Sequence, residues 1–345
     1  MHIVVTGATG SVGTAFLEAL GHEPRVRSIT AIARHLPERE LRKAYYVRAD
    51  VAEEQLAPLF EGADAVVHLA WQFQPEKRPD ELWSTNVLGS RRVFDAVRQA
   101  AVPRLVYVSS FAAYGPREKT TTVDESFPRV GIASSLYSRH KAEAERRLDE
   151  FEARYEGIDI VRLRPCATLG QSAVTGFVKR FADSFPGSSF DDAAQQIALH
   201  IARTPLQVVS ARDVAEAARL AVFRDVRGAF NIVPRPTRSP KDDVSATAST
   251  VVATAASLAV RLRLSRVDQS LLELAGRAPL LDGSRAERVL GFCSRNTTEE
   301  IVAETLSGLR HGAARLPARE DSAAASRLTA QISNSVHVST QYHPT

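Results

Sequence analysis

The segment His2-Ile3-Val4-Val5-Thr6-Gly7-Ala8-Thr9-Gly10-Ser11-Val12-Gly13 decides how the rest of the chain reads. Ile3, Val4, Val5 and Thr6 are β-branched and favour a strand. The glycines at 7, 10 and 13 then let the backbone turn sharply and approach a bulky group closely. Ser11, Val12 and Gly13 open a helical pattern, and a helix start offers unpaired N–H groups and the positive end of a dipole. Strand, glycine turn and helix start together make a seat for a phosphate. A strand-to-helix turn favours glycine on its own account; the weight comes from position, because a long series of strands and helices follows.

Working outward, short β-rich runs recur at 2–6, 28–33, 44–48, 65–69, 104–109, 159–163, 207–209 and 230–232. Helical patterns stand between them at 12–20, 85–100 and 138–155, the last rich in Ala, Glu, Lys, Arg and Leu. This alternation predicts an α/β fold, a Rossmann-type doubly wound parallel sheet covered by helices. The sheet domain is expected over 1–165 and 206–233, and a smaller C-terminal substrate-binding lobe over 166–205 and 234–312. Within that lobe 184–189 reads as loop, 234–243 as a proline-bearing linker, and 298–310 as a helix with acids in its first turn. From 313 to 345 the composition turns to Ala, Ser, Arg and Gln without a period, which reads as a disordered or loosely attached tail.

With 345 residues and 44% apolar content the chain can bury a sizeable core. The net charge of +4 is spread along the sequence, with no basic run interleaved with aromatics, so nucleic acid is not implied. Cys166 and Cys293 are too few for a disulfide framework and lack metal-ligand spacing, so no metal is expected and a reducing cytoplasm fits. The amino terminus reads as a strand, without the charged-then-apolar pattern of a leader. The uncharged stretch 244–260 is short for a membrane span and interspersed with Ser and Thr. A small-molecule substrate is the expected partner, with a homodimer left open.

The end of the second strand is where an adenosine ribose would lie. A carboxylate there favours a free 2′-hydroxyl, as in NAD, and a basic residue favours the 2′-phosphate of NADP. The sequence reads Ala33-Arg34-His35, with no acid. Arg34 either clamps a phosphate or stands solvated; NADP is favoured over NAD. Asp50-Val51, after the third strand, suits an adenine edge.

Tyr137 and Lys141 are four residues apart at the start of the firmest helical pattern, hence on one face. A phenol ionises too high to exchange protons near neutrality, and a nearby ammonium lowers that threshold. The same ammonium can hold a ribose. Ser109 and Ser110 end an apolar strand at 104–109, where ligands of such sheets bind. Ser110 can hydrogen-bond a substrate carbonyl or alkoxide, while a local turn bond is the reading for Ser109.

The glycine turn, Asp50-Val51, His68-Leu69-Ala70, Asn86-Val-Leu-Gly89, Ser109-Ser110 with Tyr114-Gly115, and Tyr137-x-x-x-Lys141 occur in this order. In that order they resemble the extended short-chain dehydrogenases/reductases, the NAD-dependent epimerase/dehydratase family. The likeness covers about residues 1–235, and the segment from Leu281 to Phe292 is similar to the family's C-terminal helical segment. The resemblance implies that Tyr137 is the acid/base, Lys141 its activator and ribose ligand, and Ser110 the assisting hydroxyl. It implies that Gly7, Thr9, Gly10, Ser11, Val12 and Gly13 hold the dinucleotide phosphates. It places Leu69, Ala70 and Thr85 beside the nicotinamide half, with Arg164-Pro165-Cys166 closing over it. Cys166 reads as packing, with no base to activate it. Two departures stand out: Ala167 where the family's nucleotide-sugar enzymes carry Asn, and Ser210-Ala-Arg212-Asp213-Val214 where they carry a leading His. Both put a nucleotide-sugar substrate in doubt.

The expected function is hydride transfer at a secondary alcohol or ketone carbon with an NAD(P) cofactor, as net oxidation or reduction. Epimerisation or dehydration with internal hydride return stands second. A non-enzymatic NAD(P)-binding sensor or scaffold is the rival from another class, and the intact Ser110, Tyr137 and Lys141 speak against it.

Overall fold

The computed structural model describes residues 1–38, 40–72, 78–169, 207–235, 274, 276–296 and 300–301. The expected loop at 184–189, the uncharged stretch 244–260, the tail 313–345 and most of the expected lobe lie outside the described residues. Of the helix expected over 298–310, Glu300 and Ile301 are described, and both are helical.

In chain order the main elements are β1 (His2–Thr6), α1 (Ser11–Gly21), β2 (Ser28–Ala33), β3 (Ala44–Arg48), α2 (Ala57–Phe60), β4 (Ala65–His68), α3 (Pro79–Trp83), a π-helical turn (Ser84–Leu88) and α4 (Gly89–Gln99). There follow β5 (Arg104–Val108), a 3₁₀ turn (Phe111–Ala113), β6 (Thr122–Val123), α5 (Leu136–Arg154), β7 (Asp159–Pro165), β8 (Ala167–Leu169), β9 (Val208–Ser210), α6 (Ala211–Phe223), β10 (Gly228–Ile232) and β11 (Leu280–Leu281). Seven strands form one sheet in the order β10-β7-β5-β4-β1-β2-β3, every pair parallel. Chain order reverses between β1 and β4, and such a reversal opens a crevice at the carboxyl ends of the strands.

The alternation of side chains along a strand divides the core between the two faces. Ile3 and Val5 of β1, Ala65 and Val67 of β4, Val106 of β5 and Val161 and Leu163 of β7 meet Phe16, Leu17 and Leu20 of α1 and Val214, Ala217, Ala218 and Ala221 of α6. Val4, Val66, Leu105, Tyr107 and Ile160, their neighbours in the sequence, meet Phe60, Val93, Phe94, Val97, Leu148 and Phe151 on the opposite face. Both faces are covered, which is why the strands read as continuous apolar runs.

Two expectations shift. The strand expected at 207–209 forms at Val208–Ser210 and pairs with β8, in a two-stranded sheet of its own beside the main one. The helix expected over 85–100 starts as a π-helical turn and becomes α-helical at Gly89. A second small sheet pairs β11 with β6, and the Gln207 side chain donates to the Leu281 carbonyl at 2.9 Å and accepts from its N–H at 2.7 Å. The segment from Leu281 is thereby fastened to the sheet domain.

Candidate active site

Gly7 follows β1 with φ of 73°, a left-handed conformation that favours glycine. A Cβ there would sit 2.6 Å from the Ala70 nitrogen, and one on Gly13 would sit 2.4 Å from the Gly7 carbonyl oxygen. Gly7 and Gly13 are therefore required by close packing of the turn, the helix and the Leu69-Ala70 segment that follows β4. Gly10 differs: its Cβ would meet the Gly7 oxygen at 3.3 Å and nothing else within 4 Å. Its bare side faces a cleft of about 430 Å³ bounded by Gly7, Thr9, Gly10, Ile32, Ala33, Arg34, His35, Ala49, Asp50, Val51, Leu69, Ala70, Trp71 and Thr85. Nine of the residues expected to hold a dinucleotide are in that wall. Ser11, Val12 and Gly13 lie just beneath it in the first turn of α1. A cradle with a bare backbone, at a helix start, fits a pyrophosphate.

At the far end of the cleft Arg34 leaves β2, its guanidinium 4.0 Å from the Asp50 carboxylate and more than a third exposed. So loose a contact leaves its donors available to an anion. The Asp50 side chain accepts from the Ala52 N–H at 2.9 Å, which fixes the turn after β3.

The middle of the wall is held by a directed chain of hydrogen bonds. Ser90 Oγ donates to the Asn86 carbonyl at 2.6 Å, so its oxygen accepts from His68 Nε2 at 2.9 Å. His68 Nδ1 then accepts from Thr6 Oγ1 at 2.7 Å. Burial, with the nearby Lys141 charge adding to it, pushes the His68 imidazole down to about 3, so the ring is neutral and structural. Asn86, in the π-helical turn, grips the Gln72 backbone with Oδ1 accepting from its N–H at 2.7 Å and Nδ2 donating to its carbonyl at 2.9 Å. That grip fixes the segment Leu69–Gln72, and the same turn brings Thr85 to the cleft.

Tyr137 and Lys141 lie in the first turns of α5, capped by Ser135, whose hydroxyl accepts from the Ser138 N–H at 3.3 Å. Tyr137 is half-buried, and burial raises its phenol above the ordinary value while a hydrogen bond with Ser110 opposes the rise. Lys141 is buried; its ammonium donates to the Val108 carbonyl at 3.1 Å and stands 3.5 Å from the centre of the Trp71 ring. Burial pushes Lys141 down to about 7, with the Glu145 charge pulling the other way. The structure thus brings Ser110, Tyr137 and Lys141 together at the carboxyl end of β5, beside the cleft.

The family model for the NAD dependent epimerase/dehydratase family matches residues 3–232. The chain belongs to the NAD dependent epimerase/dehydratase family. It is 31% identical over 175 residues to an L-arabinose 1-dehydrogenase (NAD(P)(+)) of Haloferax volcanii, covering 47% of this chain and 65% of the relative. It is 26% identical over 162 residues to a uronate dehydrogenase of Pseudomonas syringae pv. tomato, covering 47% and 58%. The matched stretch spans less than two-thirds of the length of these curated relatives. In fold the chain is similar to DesIV, a dTDP-glucose 4,6-dehydratase of Streptomyces venezuelae, with a TM-score of 0.66 and 20% identity over 90% of this chain and 97% of that one.

Around this family core the structure assigns roles that the sequence did not display. Ser109 makes no turn bond: its hydroxyl donates to buried Glu145 at 2.6 Å, and it is Ser110 that accepts from the Ala112 N–H at 3.2 Å. The exchange follows from strand alternation, which turns the two hydroxyls to opposite faces. Glu145 is gripped by Arg164 through Nε at 2.9 Å and Nη2 at 2.6 Å, and Arg164 Nη1 donates to the Tyr114 hydroxyl at 2.8 Å. Tyr114 in turn donates to Asn231 at 2.7 Å, so α5, β5, β7 and β10 are joined behind Lys141. Arg164 holds Glu145 below the usual carboxylate range against the burial that would raise it. Pro165 ends β7 and Cys166 follows it, both outside the wall of the cleft, with the Cys166 N–H donating to the Ile232 carbonyl at 2.9 Å. Burial raises the Cys166 thiol well above its usual range, as packing requires. Asp213 accepts from the Ser210 and Ser294 hydroxyls at 2.8 and 3.0 Å and so serves as a tether for the C-terminal segment. Among the described residues no group of three His, Cys, Asp or Glu could hold a metal, and no helix is long and apolar enough to cross a membrane.

Proposed function

We propose that the chain is an NAD(P)-dependent oxidoreductase acting at a secondary alcohol or ketone carbon of a small molecule, with Tyr137 as the general acid/base. The observation that carries the reading is the convergence of Ser110, Tyr137 and Lys141 beside a cleft whose floor is bare glycine backbone. Gly7, Thr9 and Gly10 hold the pyrophosphate, Asp50 and Val51 the adenine side, and Leu69, Ala70 and Thr85 the nicotinamide side. Pro165 and Cys166 stay assigned to the nicotinamide end. The nicotinamide, when bound, supplies or accepts the hydride.

The proton is the protein's task. Burial keeps the Tyr137 phenol neutral, the form that donates to a carbonyl oxygen, and Ser110 orients it. The Lys141 ammonium favours the phenolate left after donation and so eases the transfer in either direction. NADP is the favoured cofactor because Arg34 follows β2 with a partly exposed guanidinium held only by a 4.0 Å contact to Asp50, and the end of β2 itself carries no carboxylate. Segments 166–205 and 234–312 stay assigned, on the sequence pattern alone, to a smaller substrate-binding lobe. Net oxidation or reduction is preferred over internal hydride return because the L-arabinose and uronate relatives carry dehydrogenase names and Ala167 departs from the nucleotide-sugar pattern.

The test is a panel of ketones with NADPH and NADH, and of secondary alcohols with the oxidised cofactors, followed by absorbance. Turnover with one carbonyl class is expected, and Tyr137→Phe should lower it by about 10²–10⁴-fold with cofactor affinity nearly unchanged. Full activity in that variant removes Tyr137 from the chemistry.

A further inference from the structure

Trp71 directly follows the Leu69-Ala70 wall and takes part in it. Its ring centre lies 3.5 Å from the Lys141 ammonium and 5.9 Å from the Tyr137 ring centre, with the two rings nearly perpendicular at 82°. One indole therefore touches both members of the pair on which the proposed proton transfer rests. Lys141 is 3% exposed, and a desolvated ammonium gains more from an aromatic face than an exposed one, tryptophan being the best such face. The indole Nε1 is buried and has no hydrogen-bond partner among the described residues. The ring is thus placed for its face, since its one polar atom is left unsatisfied.

We propose that Trp71 is a positioning residue of the active site, its indole seating the Lys141 ammonium and abutting Tyr137 so that ammonium and phenol keep a fixed relation. The reading rests on the proposed function for its catalytic meaning, while the seat itself is a property of the folded chain. Four titratable groups face Lys141 besides the indole: His68 on β4, Tyr107 on β5, and Tyr137 and Glu145 on α5. His68 is pushed down to about 3 by burial, Glu145 is lowered by Arg164, and burial raises both tyrosines. Lys141, brought down to about 7 by burial, is then the member of this set that changes charge near neutrality.

The chain has two tryptophans, so Trp83→Phe leaves Trp71 as the only indole emitter. Its emission is measured across neutral pH, with excitation beyond the tyrosine band. An inflection near pH 7 is expected, and Lys141→Met in the same background should remove it. The same difference between wild type and Lys141→Met gives the result without any change at Trp83. A flat emission curve, or an inflection that survives Lys141→Met, overturns the seat whether or not a substrate has been found. Where turnover is available, Trp71→Leu should move the alkaline limb of kcat/KM to lower pH by about one unit, and Trp71→Phe should keep most of the wild-type profile. Unmoved limbs in a folded Trp71→Leu overturn the positioning role and leave the proposed reaction standing.

Discussion

From Gly7 to Val51 the wall of the site is largely backbone, shaped by glycines and strand ends; around Tyr137 it is side chains, seated by other buried side chains. The two halves respond to substitution differently. In the glycine turn, contacts are made by atoms that every residue has, and what matters is the missing Cβ. In the Tyr137 corner, Ser109, Glu145, Arg164, Tyr114 and Asn231 form one network, and removing one partner strands the next. Buried polar networks are costly when partly satisfied. The cofactor half should therefore lose binding while keeping its fold, and the Tyr137 half should lose fold along with function.

The largest effect tests that division at its heart. Glu145→Ala leaves the Arg164 charge buried without a partner, and a loss of about 3–5 kcal/mol in urea unfolding is expected. A loss below about 1 kcal/mol would mean that water takes up the Arg164 donors in place of Glu145, and the contrast between the halves would fail. Gly10→Val is the matching change in the other half. It should weaken NADPH binding by roughly 100-fold or more, about 3 kcal/mol, with unfolding shifted by less than about 1 kcal/mol, because little besides the Gly7 oxygen is nearby. Calorimetry on the folded variant decides it, and retained affinity would reduce the glycine to a turn former.

His68 sits between the halves and sharpens the comparison through pH. Its folded value of about 3 lies below the ordinary 6.5, so in that window the unfolded chain binds more protons than the folded one. Stability then rises with pH across the window and is lost as pH falls from 6.5 toward 3. His68→Gln should flatten the acid slope of urea stability by up to about 1.4 kcal/mol per pH unit. An unchanged slope would assign the acid response to carboxylates alone.

The smallest expected effect is at the exposed end of the backbone half. Arg34→Ala should cost about tenfold in NADPH affinity and little in NADH affinity, and raised salt should narrow the wild-type preference. Wild-type preference for NADH would show that Arg34 stands solvated.

The local pattern alone set β1 to β5, β7 and β10, the three glycines, and the four-residue spacing that puts Tyr137 and Lys141 on one face. These are properties of neighbouring residues: β-branching, the absence of a Cβ, and helical period. The tertiary structure alone decided that β9 pairs outside the main sheet, that Ser109 serves Glu145 while Ser110 serves the turn and Tyr137, and that Trp71 lies against Lys141. Trp71 and Lys141 are 70 residues apart, and nothing periodic in the chain marks them as neighbours. Their contact exists because β4 and β5 are adjacent in a parallel sheet and α5 packs on one face of it, so long-range strand order, which no local preference encodes, fixes which side chains share the buried corner.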